Sequence, residues 1–187
     1  MNVRPELIND CIDRDRKAEF ELYKISYSYL MSICFRYTRN ADKANEALNI
    51  GFLRILTHLK KYDSAFPFKT WARKVMINTL INEYKKEKKH HETVMYVEEL
   101  FETDEFSDLN SAVTKMNADS IYALIARLPA ACQQVFNLYF IDGFKHKEIA
   151  EMLEISEGTS KWHLNSARKK LKIMLEDIEL PLIIAKP

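Results

Sequence analysis

The chain predicts an all-α fold of two small helical domains, and three observations carry that expectation. Glycine is scarce, three in 187 residues, while Leu, Ile, Lys and Glu are abundant, a composition that suits helices better than a sheet or barrel. Apolar residues recur at steps of three and four along most of the chain, the spacing of one helix face. The long interruption of that pattern falls at residues 90–118, an acidic stretch that separates a front segment from a back segment.

The front segment reads as three helices. Glu19 to Arg39 carries Phe20, Tyr23, Tyr27, Leu30, Met31, Cys34 and Tyr37 as one long stripe. Asn40, Ala41 and Asp42 mark a turn and a helix start. A second helix follows from Lys43 to Leu59, with Ala44, Ala47, Leu48, Phe52, Ile55, Leu56 and Leu59 facing inward. Lys60 to Lys69 then breaks the pattern at Ser64 and Pro67 and gathers Tyr62, Phe66 and Phe68. A third helix runs from about Thr70 to Lys89 with Trp71, Val75, Asn78, Leu80, Ile81 and Tyr84, and ends in the basic run Lys85, Lys86, Lys88 and Lys89.

His90 to Ala118 mixes acids with scattered apolar residues and sustains no period, so it reads as a flexible acidic linker with at most a short helical piece. The back segment resumes with Ile121, Leu124, Ile125 and Leu128. Pro129 starts a helix through Val135, Phe136, Leu138, Tyr139 and Phe140, and Gly143 ends it. The stretch from Lys145 to Lys172, KHKEIAEMLEISEGTSKWHLNSARKKLK, then reads as a helix-turn-helix. Ile149, Ala150 and Leu153 face the core from a short first helix. Ser156 is the N-cap candidate and Gly158 lies in the turn. From Thr159 the second helix buries Ser160, Leu164, Ala167, Leu171 and Met174 or Leu175. Its opposite face holds Trp162, Asn165, Ser166 and Lys169, flanked by Lys161, His163, Arg168, Lys170 and Lys172. A short helix, a tight turn and a polar, basic second helix suit a DNA major groove. The expected division is therefore residues 1–89, a linker at 90–118, a helix-turn-helix domain at 119–180 and an apolar tail at 181–187.

The formal net charge of +1 conceals a strong asymmetry. Residues 1–92 carry 18 basic against 12 acidic side chains, residues 93–120 carry 1 against 7, and residues 121–187 carry 9 against 8. A basic front and an acidic middle fit a nucleic-acid partner better than the average suggests. Cys11, Cys34 and Cys132 are far apart and have no metal-ligand spacing; Cys34 and Cys132 sit in apolar runs, as buried thiols of a reducing compartment do. The first residues, MNVRPELINDCIDRDRK, lack the apolar core of a signal peptide, and no run of about eighteen apolar residues offers a membrane span. The expectation is a cytoplasmic protein. Catalysis is not expected. Asp142, His146 and Glu148 lie together, as do His90, His91 and Glu92, yet the chain has no Gly-rich phosphate loop and no nucleophile motif. No metal or cofactor is expected.

The residues resemble the group IV, or extracytoplasmic-function, sigma factors of the bacterial sigma-70 superfamily. The resemblance covers roughly Phe20 to Lys89 and Ile121 to Leu175. It rests on YDSAFPFKTWARKVMINTLINEYKK in front and LPAACQQVFNLYFIDGFKHKEIAEMLEISEGTSKWHLNSARKKL behind, in that order. It implies a non-enzymatic subunit that binds RNA polymerase core at its clamp helices and flap, recognises promoter DNA, melts it and starts transcription. An anti-sigma factor is a further implied partner.

Carried over residue by residue, the resemblance makes Lys161, Trp162, Asn165 and Ser166 base-facing at the −35 element. Lys145, His146, Thr159, His163, Arg168 and Lys169 would hold phosphate. Tyr62, Phe66, Phe68, Trp71, Arg73, Lys74, Asn78 and Asn82 would serve the −10 element and its melting, where aromatic faces can hold unpaired bases. Asp42, Asn45, Glu46, Asn49 and Phe52 would form the polymerase-docking surface. Two departures from the family pattern stand out. Asn49 and Ile50 replace a Gln-acid pair before Phe52, and Asn45 replaces a common acid, so the docking helix carries less charge. Glu154 stands where the turn often has glycine, so either it accepts a left-handed backbone or the turn differs locally. The competing reading is a free-standing helix-turn-helix regulator that binds duplex DNA without polymerase and uses dimer symmetry on a long site.

Overall fold

The computed structural model describes residues 1, 3–38, 40–91 and 118–184. The chain divides into two compact units, Met1–Glu92 and Thr93–Pro187. Among the described residues every regular element is helical, as composition and spacing predict. Of the expected acidic linker, residues 92–117 lie outside the described residues.

The front unit begins with a helix the apolar spacing did not mark, α1 (Pro5–Ile12). Pro5 sits in its first turn, where its missing N–H costs nothing, and Leu7, Ile8 and Cys11 are buried. Helix α2 (Arg16–Tyr37) starts at the N-cap Asp15, whose carboxylate accepts the Lys17 N–H at 2.7 Å. Its core face is Ala18, Leu22, Ser26, Leu30, Met31, Ile33, Cys34 and Tyr37. The expected stripe through Phe20 and Tyr27 is thus corrected: Phe20 is 64% exposed, and Tyr27 is also exposed. Helix α3 (Ala41–His58) is capped by Asn40, whose side chain accepts the Lys43 N–H at 2.7 Å, at the turn the sequence marks. A 3-10 turn (Leu59–Lys61) leads into the aromatic loop, and α4 (Phe68–His91) closes the unit.

Helices α2, α3 and α4 pack on one another. Gly51 lets α3 lie close against α4: a Cβ there would overlap the sulfur of buried Met76 on α4. Met76 in turn accepts the Cys34 S–H across 3.6 Å. Burial pushes the Cys34 thiol up to about 12 and that of Cys11 up to about 11, so both behave as inert core residues. The Lys43–Glu87 ion pair, 2.8 Å, ties α3 to α4 at the surface.

The back unit comprises α5 (Ala118–Ala126), α6 (Ala130–Phe136), a π-turn (Asn137–Ile141), α7 (His146–Leu153) and α8 (Glu157–Ile184). The helix expected through Phe140 therefore changes winding at Asn137, where the Asp142 N–H reaches the Asn137 carbonyl at 3.0 Å. Gly143, at φ +79°, ends the run as expected. Leu124, Ile125, Leu128, Cys132, Ala167, Leu171 and Leu175 form one buried cluster joining α5 and α6 to α8. Helix α8 continues to Ile184, beyond the expected boundary at residue 180. Among the described residues no helix is long and apolar enough to cross a membrane.

Candidate nucleic-acid interface

The helix-turn-helix is built by local chemistry. Helix α7 opens at Lys145, whose backbone N–H donates to the Glu148 carboxylate at 2.8 Å, half of a capping box. It buries Ile149, Ala150 and Leu153. Glu154 then takes the left-handed conformation, φ 57° and ψ 47°, one of the two outcomes that the departure from glycine at that position allows. Ser156 caps α8: its hydroxyl accepts the Thr159 N–H at 2.9 Å and bonds the Thr159 hydroxyl at 2.8 Å. The expected start at Thr159 moves two residues earlier, to Glu157, since Ser156 is the cap and the helix follows it directly.

On α8 the inward face is Ser160, His163, Leu164, Ala167, Leu171 and Leu175, all buried. Lys161 is exposed, and Trp162, Asn165, Ser166, Arg168 and Lys169 are partly exposed. Lys145 is exposed, while His146 and Thr159 are partly covered. His163 is a correction. It is 4% exposed, with Nδ1 3.7 Å from the Cys132 sulfur, so it supports the helix from inside and cannot reach a phosphate from this position. The helical period places it beside Ser160 and Ala167; its lysine and arginine neighbours disguised that.

Two aromatic contacts at this site had no sequence signal. The Tyr139 ring stacks on His146 at 4.7 Å, and His146 Nδ1 lies 2.9 Å from the Ser160 hydroxyl. The Arg168 guanidinium lies over the Phe140 ring at 4.9 Å, a cation–π contact. The π-turn thus buttresses both the start of α7 and the middle of α8. Burial lowers the His146 pKa first, aided by Lys161 and Arg168 and opposed by Glu157. The unfolded chain therefore holds this proton more tightly than the folded one. The stability linked to His146 is present above the ordinary value of about 6.5 and is lost as pH falls from there through the lowered folded-state value. The melting temperature is expected to drop further between about pH 7.5 and about pH 5.5 in the wild type than in His146→Gln. Equal drops would contradict this.

In the front unit, Tyr62, Phe68 and Trp71 form an aromatic triangle with centroid separations of 5.4, 5.4 and 5.6 Å. Phe68 is a second correction: it opens α4 and is 6% exposed, a core residue and not a base-stacking face. Phe66 is 63% exposed on the loop. Lys74, Asn78 and Asn82 are exposed and Arg73 is partly so. On α3, Asp42, Asn45, Glu46 and Asn49 form an exposed ridge at steps of three and four. Phe52 is a third correction. It is 8% exposed and meets the Tyr23 ring edge-on at 5.0 Å, so it supports this ridge from beneath.

Comparison with known proteins matches residues 22–90 to sigma-70 region 2 and residues 118–171 to sigma-70 region 4. Among curated relatives, the ECF RNA polymerase sigma factor SigW of Bacillus subtilis is 23% identical over 172 residues, 88% of this chain and 92% of that protein. The RNA polymerase sigma-H factor of Pseudomonas aeruginosa is 23% identical over 176 residues, 89% and 91% of the two chains. A solved structure with similarity to the chain is the sigma factor RpoE in complex with the anti-sigma factor NepR from Bartonella quintana, with TM-score 0.49, 14% identity and coverage of 83% and 95%. Regions 2 and 4 in this order define a sigma factor of the sigma-70 superfamily. The chain belongs to its group IV, the extracytoplasmic-function RNA polymerase sigma factors.

Proposed function

We propose that the chain is a non-enzymatic, cytoplasmic subunit whose two domains, residues 1–89 and 119–180, divide the work of initiation. The front domain docks on the polymerase clamp helices through Asp42, Asn45, Glu46 and Asn49. It also engages the −10 element with Phe66, Trp71, Arg73, Lys74, Asn78 and Asn82. The back domain meets the flap and reads the −35 element with Lys161, Trp162, Asn165 and Ser166. Lys145, His146, Thr159, Arg168 and Lys169 hold the flanking phosphates. As a member of this group, the protein has an anti-sigma factor as its proposed regulator.

One observation carries this assignment furthest. The buried stripe of α8 fixes the rotation of the helix, and that rotation leaves Lys161 exposed and Trp162 and Asn165 partly exposed, while Ser166, also partly exposed, hydrogen-bonds the buried Cys132 thiol. Side chains on a helix packed in this way keep their spacing when they enter a groove. The α3 ridge bears two Asn beside Asp42 and Glu46, so docking there relies on hydrogen bonds and shape more than on charge. Size-exclusion chromatography with core polymerase of the same organism tests the reading. Co-elution supports it; separate elution, with duplex DNA bound by the protein alone, supports the free-standing regulator.

Arg168 carries a separable prediction. If it holds a phosphate, Arg168→Ala weakens DNA binding across sequences and reduces the slope of log affinity against log salt by about 0.9. Fluorescence anisotropy of holoenzyme on labelled promoter DNA measures it. An unchanged slope removes Arg168 from the phosphate contacts.

A further inference from the structure

The loop at residues 63–67 is exposed at every position, so no core holds its shape. It is nevertheless ordered by its own hydrogen bonds. The Asp63 carboxylate accepts the Ala65 N–H at 2.9 Å, and the Asp63 carbonyl accepts the Phe66 N–H at 3.2 Å. The Tyr62 hydroxyl donates to the Phe66 carbonyl at 2.6 Å, at the short end for an O–H···O bond. On the far side the Pro67 carbonyl accepts the Thr70 N–H at 2.9 Å and the Trp71 N–H at 3.3 Å, which roots the loop in the first turn of α4. Pro67 also restricts Phe66 itself, since a residue before proline is driven towards an extended backbone. Both the N–H and the carbonyl of Phe66 are therefore tied while the residue is 63% exposed.

Tyr62 is placed to do this and little else. Its ring is wedged edge-on to Phe68 and tilted against Trp71, and Phe68 is itself buried. We infer that Tyr62 is a positioning residue for promoter opening: anchored by Phe68 and Trp71, its hydroxyl fixes the Phe66 backbone so that the Phe66 ring is presented, ready-oriented, to an unpaired base. This rests on the proposed role of Phe66 at the −10 element and assigns Tyr62 a task other than stacking on DNA. A display surface set before its target arrives spares the ordering that binding would otherwise require.

The test uses holoenzyme of full-length protein and core polymerase, on a promoter recovered from a random-sequence library with the wild type. Tyr62→Phe keeps the ring and removes only the hydroxyl. Opening, followed by permanganate reactivity of −10 thymines, is expected to slow by about three- to tenfold, the range for one lost hydrogen bond. Closed-complex affinity should stay at the wild-type value, and the free protein should stay folded, its melting temperature lowered by no more than one lost hydrogen bond allows. Phe66→Ala should slow opening at least as much, and the double variant should be no slower than Phe66→Ala, because the hydroxyl acts only through Phe66. Slow opening in Phe66→Ala with normal opening in Tyr62→Phe overturns the role of Tyr62 and leaves Phe66 in place. Normal opening in Phe66→Ala overturns the reading of the loop itself. Additive slowing in the double variant overturns the positioning role, since Tyr62 would then act on DNA independently.

Discussion

Leu128→Ala is expected to cost about 2–5 kcal/mol of folding stability, the usual range for truncating a fully buried leucine. Leu128 is 0% exposed in the short connection between α5 and α6, at the centre of the cluster that includes Ile125, Cys132, Ala167 and Leu171. That cluster locks α8 in rotation. A cavity there removes contacts from the buried face of the helix and leaves the outer residues chemically intact. Denaturant unfolding of the protein should show the loss in the phase that reports the back unit, and duplex binding should fall with it. A cost below about 1 kcal/mol would mean that the cluster does not hold the recognition helix.

Trp162→Ala and Asn165→Ala carry the largest expected effect on specificity. Both side chains lie on the outer face of α8, opposite Ser160, Leu164 and Ala167. Asn165 can pair with a base edge through its amide, and Trp162 offers a large apolar surface to a thymine methyl or a sugar. Each such contact discriminates by about 1–3 kcal/mol against the wrong base. Selection of promoters from a random library with each variant holoenzyme should therefore return −35 sequences that differ from the wild-type set. Unchanged sequences with both variants would show that this face does not read DNA.

Elements set by local chemistry were legible in the sequence. Asn40 and Ser156 announce their helices because a cap needs only its own side chain and an N–H two or three residues on. Gly143 announces the end of its helix for a similar reason, since the demand is on a single residue, whereas the left-handed backbone of Glu154 was only one of two outcomes the resemblance left open. The α8 stripe was legible because five of its buried positions, Ser160, Leu164, Ala167, Leu171 and Leu175, are apolar or small at regular steps. What failed depends on distant partners. On α2 the true core face passes through Ala18, Leu22 and Ser26, of which Ala18 and Ser26 are small and Ser26 is polar; the large rings of Phe20 and Tyr27 gave the stronger periodic signal and are outside.

The candidate site shows the same division. Asp42, Asn45, Glu46, Asn49, Lys161 and Phe66 lie at the surface, where their chemistry and spacing put them. Phe52, Phe68 and His163 were assigned by family position or by polar neighbours, and each is buried. An aromatic or a histidine is ambivalent in sequence because it satisfies either a core or an interface. Only the packing of Tyr23 on Phe52, of Tyr62 and Trp71 on Phe68, and of Cys132 on His163 decides the matter. Helix α1 was missed because eight residues are two turns, too few to establish a period.

The most direct test of the central claim is run-off transcription with core polymerase, with and without the protein, on a library of genomic fragments from its own organism. The account predicts discrete start sites that appear only when the protein is present and that share paired −35 and −10 sequences. Duplex binding by the protein alone, with no start site gained by the polymerase, would contradict it.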